Sequence, residues 1–213
     1  MLDRHHRWLW NTLGERCVRR LRRNGFDAHY AETPEAAAER FEARTEGLSS
    51  FGFGGSATTR ALGLPKKLQD VGRTVHDHWA PGAGLDDREI RLAQGRCDCF
   101  VCGANAISLT GEIVNVDGVG NRNNAMTFGC PHVVILAGMN KVVHTLEAAL
   151  ARVREVAAPM RAKSLDLKTP CAETGVCVDC DAPQRICRVT TILHRKPMMT
   201  EVSVILVGEA LGF

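Results

Sequence analysis

The sequence of 213 residues lacks a long hydrophobic run and a large excess of charge of one sign. Its longest strongly apolar run, Val133 to Met139, is far shorter than the roughly 20 residues that a membrane-spanning helix needs. The first ten residues, MLDRHHRWLW, lack the apolar core of a signal peptide. We therefore expect a cytoplasmic protein that does not act at a membrane.

The net charge is only +3, and the basic residues are dispersed apart from an arginine-rich run near the N-terminus. This charge is too small to favour nucleic acid as a partner, and the arginine-rich run is interpreted as a solvated helix face. Hydrophobic residues make up 45% of the chain and charged residues 24%, which is typical of a soluble globular protein. The length allows one well-cored domain, so residues 1–213 are assigned to a single domain.

Segments with strand character alternate with segments of helix character along the chain. Predicted strands cover residues 26–31, 49–53, 73–79, 97–102, 109–116, 132–137, 188–193 and 202–207. Predicted helices cover residues 1–25, 34–45, 56–62, 85–94 and 145–157, with Pro159 ending the last of them. This alternation predicts an α/β fold with a layered, mostly parallel sheet and flanking helices. Residues 160–187 are predicted to form a cysteine-rich loop that leaves the sheet.

A glycine-rich loop, FGFGGSATT at residues 51–59, lies between a predicted strand and a predicted helix. Gly54 and Gly55 allow a ligand to approach the backbone closely, and Ser56 is a suitable N-cap for the helix. The free N–H groups of a first helical turn, with the hydroxyls of Ser56 and Thr58, are typical of an anion site. The alternative is a tight turn that binds nothing.

A second polar segment, residues 110–126, lies between apolar strands. Arg122 suits bidentate binding of a carboxylate or phosphate, and Asn121 adds directional donors. Asp117 is a candidate general base, or it holds Arg122 in place. The alternative is a loop stabilised by its own hydrogen bonds. Further polar residues follow the ends of predicted strands, where α/β proteins bind ligands: Asn105, Asn140 and Lys141.

Four of the nine cysteines lie close together in the segment TPCAETGVCVDCDAPQRIC, with Cys-x5-Cys-x2-Cys-x6-Cys spacing. In a reducing compartment such a group of cysteines favours metal binding. The alternatives are a disulfide bond and plain buried or surface thiols, neither of which needs a metal. Both zinc and an iron–sulfur cluster accept four thiolates, and the spacing does not decide between them. The candidate metal ligands are Cys171, Cys177, Cys180 and Cys187.

Three motifs together resemble the lactate-utilisation (LUD) domain family in its short stand-alone form. They are FGFGGSATTRALGL, TGEIVNVDGVGNRNNAMTFG followed by NKVV, and the cysteine-rich segment followed by VSVILVGEALGF. The resemblance implies a fold related to ribose-5-phosphate isomerase and the coenzyme A transferases. It also implies that the glycine-rich loop faces the anionic end of a ligand and that the polar residues line the rest of the cleft. No glutamate nucleophile of the transferase type is evident.

These observations support three hypotheses of function. The first is a lactate-utilisation type protein that binds a small anionic metabolite in the cleft, with Asp117 and Arg122 as candidate catalytic residues. The second is an accessory electron-transfer protein with an iron–sulfur cluster on the four cysteines. The third is a non-catalytic domain with a structural zinc ion. The resemblance further implies other lactate-utilisation proteins as partners, and the sequence is compatible with an oligomer.

Overall fold

The computed structural model describes residues 3–80 and 84–213, which form alternating strands and helices. The strands are β1 (Asp27–Ala31), β2 (Ser50–Phe53), β3 (Thr74–Asp77), β4 (Cys99–Gly103), β5 (Ala106–Ser108), β6 (Ile113–Asp117), β7 (His132–Gly138), β8 (Val142–Val143), β9 (Val189–Leu193) and β10 (Glu201–Val207). The helices are α1 (Arg4–Arg23), α2 (Pro34–Arg44), α3 (Ala57–Ala61), α4 (Leu64–Asp70), α5 (Asp87–Gln94), α6 (Asn121–Thr127), α7 (Leu146–Arg152), α8 (Ala158–Ser164) and α9 (Pro170–Thr174). Residues 1 and 2 of the predicted first helix lie outside the described residues.

A six-stranded sheet in the order β1-β10-β7-β4-β2-β3 forms the centre of the described structure. Every pair of neighbouring strands in it is parallel. Parallel sheets are covered on both faces, so their central strands are apolar throughout. In β7, Val133 and Ile135 face one core while Val134 and Leu136 face the other. The predicted α/β fold with a parallel sheet and flanking helices is confirmed.

Helices cover both faces of this sheet. Leu21 of α1 and Met126 of α6 are fully buried on the first face, and Phe41 of α2 and Leu64 of α4 are buried on the second. Helix starts follow the expected capping chemistry. Thr33 accepts a hydrogen bond from the Ala36 N–H at 3.2 Å, with Pro34 in the first turn of α2. The fold is therefore a three-layer sandwich.

A smaller mixed sheet in the order β8-β5-β6-β9 was not predicted. The expected strand over residues 109–116 is instead a turn followed by β6, and β5 and β6 pair antiparallel as a hairpin. Ser108 N–H donates to Glu112 O at 2.9 Å and closes the turn. Pairing of β6 with β9 places Asp117 opposite Val189. This small sheet thus presents the end of β6 to the edge of the large sheet.

The helix expected to end at Pro159 continues through it. A π-helical turn, Val153–Ala157, joins α7 to α8, and Pro159 lies in the first turn of α8. Proline lacks the N–H that an α-helix interior requires, and its ring needs space beside the preceding turn. A wide π turn just before the proline accommodates both effects. The chain therefore remains helical through Arg161.

No helix among residues 3–80 and 84–213 is long and apolar enough to cross a membrane.

Candidate anion-binding cleft

A cavity of about 420 Å³ lies where four strands of the large sheet end. Residues 55–57 follow β2, residues 78–79 follow β3, residues 103–105 end or follow β4, and Lys141 follows β7; all of them line the cavity. Ligands of α/β proteins bind outside the carboxyl ends of parallel strands. The cavity therefore lies where the fold favours a ligand.

Most of the residues predicted to form the site line this one cavity. They are Gly55, Ser56, Asn105, Asp117, Asn121, Arg122 and Lys141. Three others lie behind the lining and support it. Gly54 leaves space that a β-carbon would fill at 3.0 Å from Phe100, and Thr58 is fully buried. Asn140 holds the C-terminal segment, donating to Gly212 O at 3.1 Å and accepting from Leu211 N–H at 3.1 Å.

The glycine-rich loop packs tightly against the end of β4. The Ser56 side chain caps α3 by accepting from Thr59 N–H at 3.3 Å. A β-carbon on Gly103 would lie 2.7 Å from Ser56 Oγ, so the loop reaches its position only because residue 103 is glycine. Because α3 has just five residues, its dipole is small, and any strong attraction for an anion must come from side chains.

Arg122 is fixed by a buried ion pair. Its Nε donates to Asp117 Oδ1 at 2.8 Å, and its Nη2 donates to Val116 O at 2.9 Å. The other oxygen of Asp117 accepts from Asn123 N–H at 2.9 Å. Among the described residues, Arg122 Nη1 has no hydrogen-bond partner, and Arg122 borders the cavity. Asp117 is thus positioned to hold Arg122; its role as a general base stays a prediction.

The segment around Arg122 is a helix rather than the predicted loop. Residue 120 adopts φ +90°, which glycine allows, and α6 begins at Asn121. Asn121 is held between α5 and α6, because its Oδ1 accepts from Arg91 Nη1 at 3.3 Å and its Nδ2 donates to Gln94 Oε1 at 3.3 Å. Asn105 Oδ1 accepts from Val116 N–H at 2.8 Å and so ties the end of β4 to β6.

Lys141 is a buried amine on the cavity wall. Its Nζ donates to Thr58 Oγ1 at 2.8 Å, and Thr58 in turn donates to Leu211 O at 3.0 Å. Among the described residues no carboxylate lies within ion-pair distance of Nζ. Burial lowers the pKa of Lys141 to about 7, and the nearby charges of Arg152 and Arg122 act in the same direction. Near neutral pH a large fraction of this amine is therefore uncharged.

Several residues of the cavity wall were not predicted from the sequence. Arg161 of α8 lines the cavity and lies 4.6 Å from the centre of the Trp79 ring. His78 also lines the cavity, and burial lowers its pKa. Its place after β3 matches that of Asn105 after β4, so its position at a strand end could have identified it. No motif marks Arg161.

The four candidate metal ligands line a second, small apolar pocket beside the cleft: Cys171, Cys177, Cys180 and Cys187. All are free thiols. Arg185 secures this irregular loop by donating to Cys187 O at 2.9 Å and to Asp179 Oδ1 at 2.7 Å. Burial raises the pKa of Cys187, and the three neighbouring thiols act in the same direction. Ile186 lines both this pocket and the cleft, so the two share a wall.

Within the described residues, no group of three or more histidine, cysteine, aspartate or glutamate side chains is arranged to hold a single metal ion. Four thiolates have the donor chemistry that either a zinc ion or an iron–sulfur cluster accepts. Whether these four cysteines hold a metal therefore stays a prediction.

A parallel α/β sheet with a cation-lined cleft at its carboxyl end is the architecture in which many α/β proteins bind their ligands. The chain belongs to the LUD domain family, whose sequence profile matches residues 14–207. A crystal structure of a DUF162 family protein from Deinococcus radiodurans, at 1.70 Å resolution, is similar, with TM-score 0.54 over 93% of this chain and 98% of that chain. The sequence identity of 17% makes this a likeness of fold alone. No curated protein sequence matches the chain significantly.

Proposed function

We propose that this LUD-domain protein binds a small carboxylate or phosphate metabolite, of the kind handled in lactate utilisation, in the cleft at the end of the central sheet. The main support for this proposal is the positive charge of the cleft wall. Its positively charged side chains are Arg91, Arg122 and Arg161. The carboxylate side chain on the same wall, Asp117, is already paired with Arg122.

The geometry favours an anion that carries one small carboxylate or phosphate group. Arg122 has a guanidinium nitrogen directed to no other described group, and its other nitrogens are held rigidly. A guanidinium fixed in this way loses little conformational freedom when it binds a carboxylate. We therefore expect Arg122 to bind the carboxylate or phosphate group, and the backbone of residues 55–57 to contact the opposite side of the ligand. A cytoplasmic location is part of the proposal, because all nine cysteines are free thiols.

Calorimetric titration with lactate, pyruvate and phosphate tests the proposal. We expect at least one of these anions to bind, and we expect Arg161→Met to weaken that binding by about tenfold, since a lost charge-assisted hydrogen bond is worth about 1.5 kcal/mol. Arg44→Met is the matched control, because Arg44 pairs with Asp27 on the surface away from the cleft. Absence of binding by all three anions, or equal weakening by both substitutions, would contradict the proposal.

A second candidate function is electron transfer through a cluster held by the cysteine pocket. The observation in its favour is that four cysteines separated in sequence line one apolar pocket that shares Ile186 with the cleft. Such a cluster, when bound, supplies one-electron chemistry. Residues of this chain would hold it through the four thiolates, while Arg185 fixes the loop between Cys180 and Cys187. The cluster would then border the anion cleft.

Anaerobic reconstitution with ferrous iron and sulfide, followed by an absorption spectrum and metal analysis, tests this second function. We expect a brown protein with bound iron, and we expect Cys177→Ser with Cys180→Ser to lose the iron. Cys130→Ala is the control, because Cys130 is buried in the sheet core away from the pocket. A colourless protein with one zinc would support the structural role, and a protein that binds neither metal would contradict both.

A further inference from the structure

Lys141 differs from the other cations of the cleft because it is buried without a counter-charge. Its exposed fraction is 4%, and within residues 3–80 and 84–213 its one hydrogen bond is to the hydroxyl of Thr58. The two charged groups with the largest effect on its pKa, Arg152 and Arg122, are both positive. A permanently charged ammonium group in such a place would be strongly unfavourable. The surroundings therefore favour the neutral amine, which is a nucleophile.

Lys141 and Arg122 act on the same small region of the cleft. Both line the cavity, and the positive charges of both act on the fully buried thiol of Cys102. Burial raises the pKa of Cys102 to about 12, and the positive charges of Arg122 and Lys141 oppose this rise. The thiol is therefore neutral and does not supply Lys141 with a negative partner. A small ligand whose carboxylate binds Arg122 would occupy the cavity that the Lys141 side chain also borders.

We propose that Lys141 is a catalytic residue that forms an imine with the carbonyl carbon of a 2-oxo acid whose carboxylate binds Arg122. The proposal rests on the proposed anion site and names its substrate class. The amine nitrogen forms a bond to the carbonyl carbon, and the carbonyl oxygen leaves as water with two protons. The product contains a C=N bond in place of C=O. No oxidant or reductant takes part, and the step is reversible.

Trapping the imine tests the proposal. The full chain is incubated with pyruvate and sodium cyanoborohydride, which reduces the imine to a stable secondary amine, and the modified peptides are located by mass spectrometry. We expect the adduct at Lys141 to form at least tenfold faster than at exposed lysines such as Lys168. Its rate should rise as the pH passes through about 7, the pKa of Lys141 set by burial, Arg152 and Arg122. Exposed lysines reach their neutral form only near pH about 10.4.

Two variants control the experiment. Lys141→Met should fold and show no adduct at residue 141, whereas Lys163→Met on the exposed side of α8 should leave the adduct unchanged. The difference between the pKa of Lys141 in the folded and unfolded states also favours folding of Lys141→Met. The unfolded lysine keeps its proton up to about pH 10.4 while the folded one loses it near 7, so the buried charge lowers stability below that range. Methionine removes this penalty.

The outcomes separate this proposal from the anion site itself. If lactate and pyruvate bind by calorimetry but Lys141 gains no adduct in excess of exposed lysines, the imine is excluded and the anion site remains. If none of lactate, pyruvate or phosphate binds, the anion site fails, and the imine proposal fails with it. A pyruvate adduct at Lys141 that disappears when excess lactate competes would support both.

Discussion

Arg122→Met is expected to lower the free energy of unfolding by about 3–5 kcal/mol, because it leaves a buried carboxylate without its partner. The Asp117 side chain is only 8% exposed. One of its oxygens accepts a hydrogen bond from Arg122 and the other from the Asn123 N–H. For a chain of this length the loss corresponds to a fall in melting temperature of roughly 10 °C. Chemical denaturation of wild type and variant measures the difference.

The same substitution should also abolish anion binding, and a second substitution separates the two effects. In Arg122→Met with Asp117→Asn the uncompensated charge is gone, so most of the stability should return, while anion binding should stay lost. Arg44→Met again provides the control for a lost surface pair, which contributes less than about 1 kcal/mol. Wild-type stability in Arg122→Met alone would contradict the buried ion pair.

Gly52→Ala is expected to destabilise the protein by about 3 kcal/mol or more, since it forces two backbone segments apart. A β-carbon at residue 52 would lie 2.1 Å from Gln94 O and 2.7 Å from Gln94 Cα. Gly52 is in the middle of β2, between His76 of β3 and Phe100 of β4, so the strand cannot move without breaking both ladders. The end of α5 must move instead.

Movement of α5 should reach the cleft as well as the core. This helix carries Arg91 and Gln94, which hold Asn121 at the cavity wall. Gly52→Ala should therefore weaken anion binding in addition to lowering stability. Gly95→Ala is the matched control one residue beyond Gln94, because its β-carbon would meet its nearest neighbour at an ordinary 3.7 Å. Equal stability of the two variants would contradict the close packing of α5 on β2.

Local chemistry made the parallel sheet and most of its helices predictable. The buried strand at residues 132–138 is a continuous apolar run, and the caps Thr33 and Ser56 mark helix starts by side chains that accept N–H groups. The position of the cleft could also be predicted, from the residues that follow the ends of the strands. The carboxyl ends of parallel strands meet at one edge, so Asn105 and Lys141 could be assigned to one cleft from their places in the sequence.

The remaining features depend on tertiary packing. Four of the seven residues of helix α6, three asparagines and a threonine, have low helix propensity. The helix forms because Met126 packs into the core and Asp117 accepts a hydrogen bond from its first turn. Pro159 signalled a helix end, yet the π turn before it carries the chain onward. Arg161 joins the cleft only because of that continuation. Its role could not be predicted from local sequence.

The most direct test of the anion site is a crystal structure of the protein grown with the anion that binds most tightly in calorimetry. We expect electron density for that anion in the cleft, with its negative group within hydrogen-bond distance of Arg122 Nη1 and of a backbone N–H in residues 55–57. Density at another surface, or an anion in the cleft that contacts neither group, would contradict the central claim.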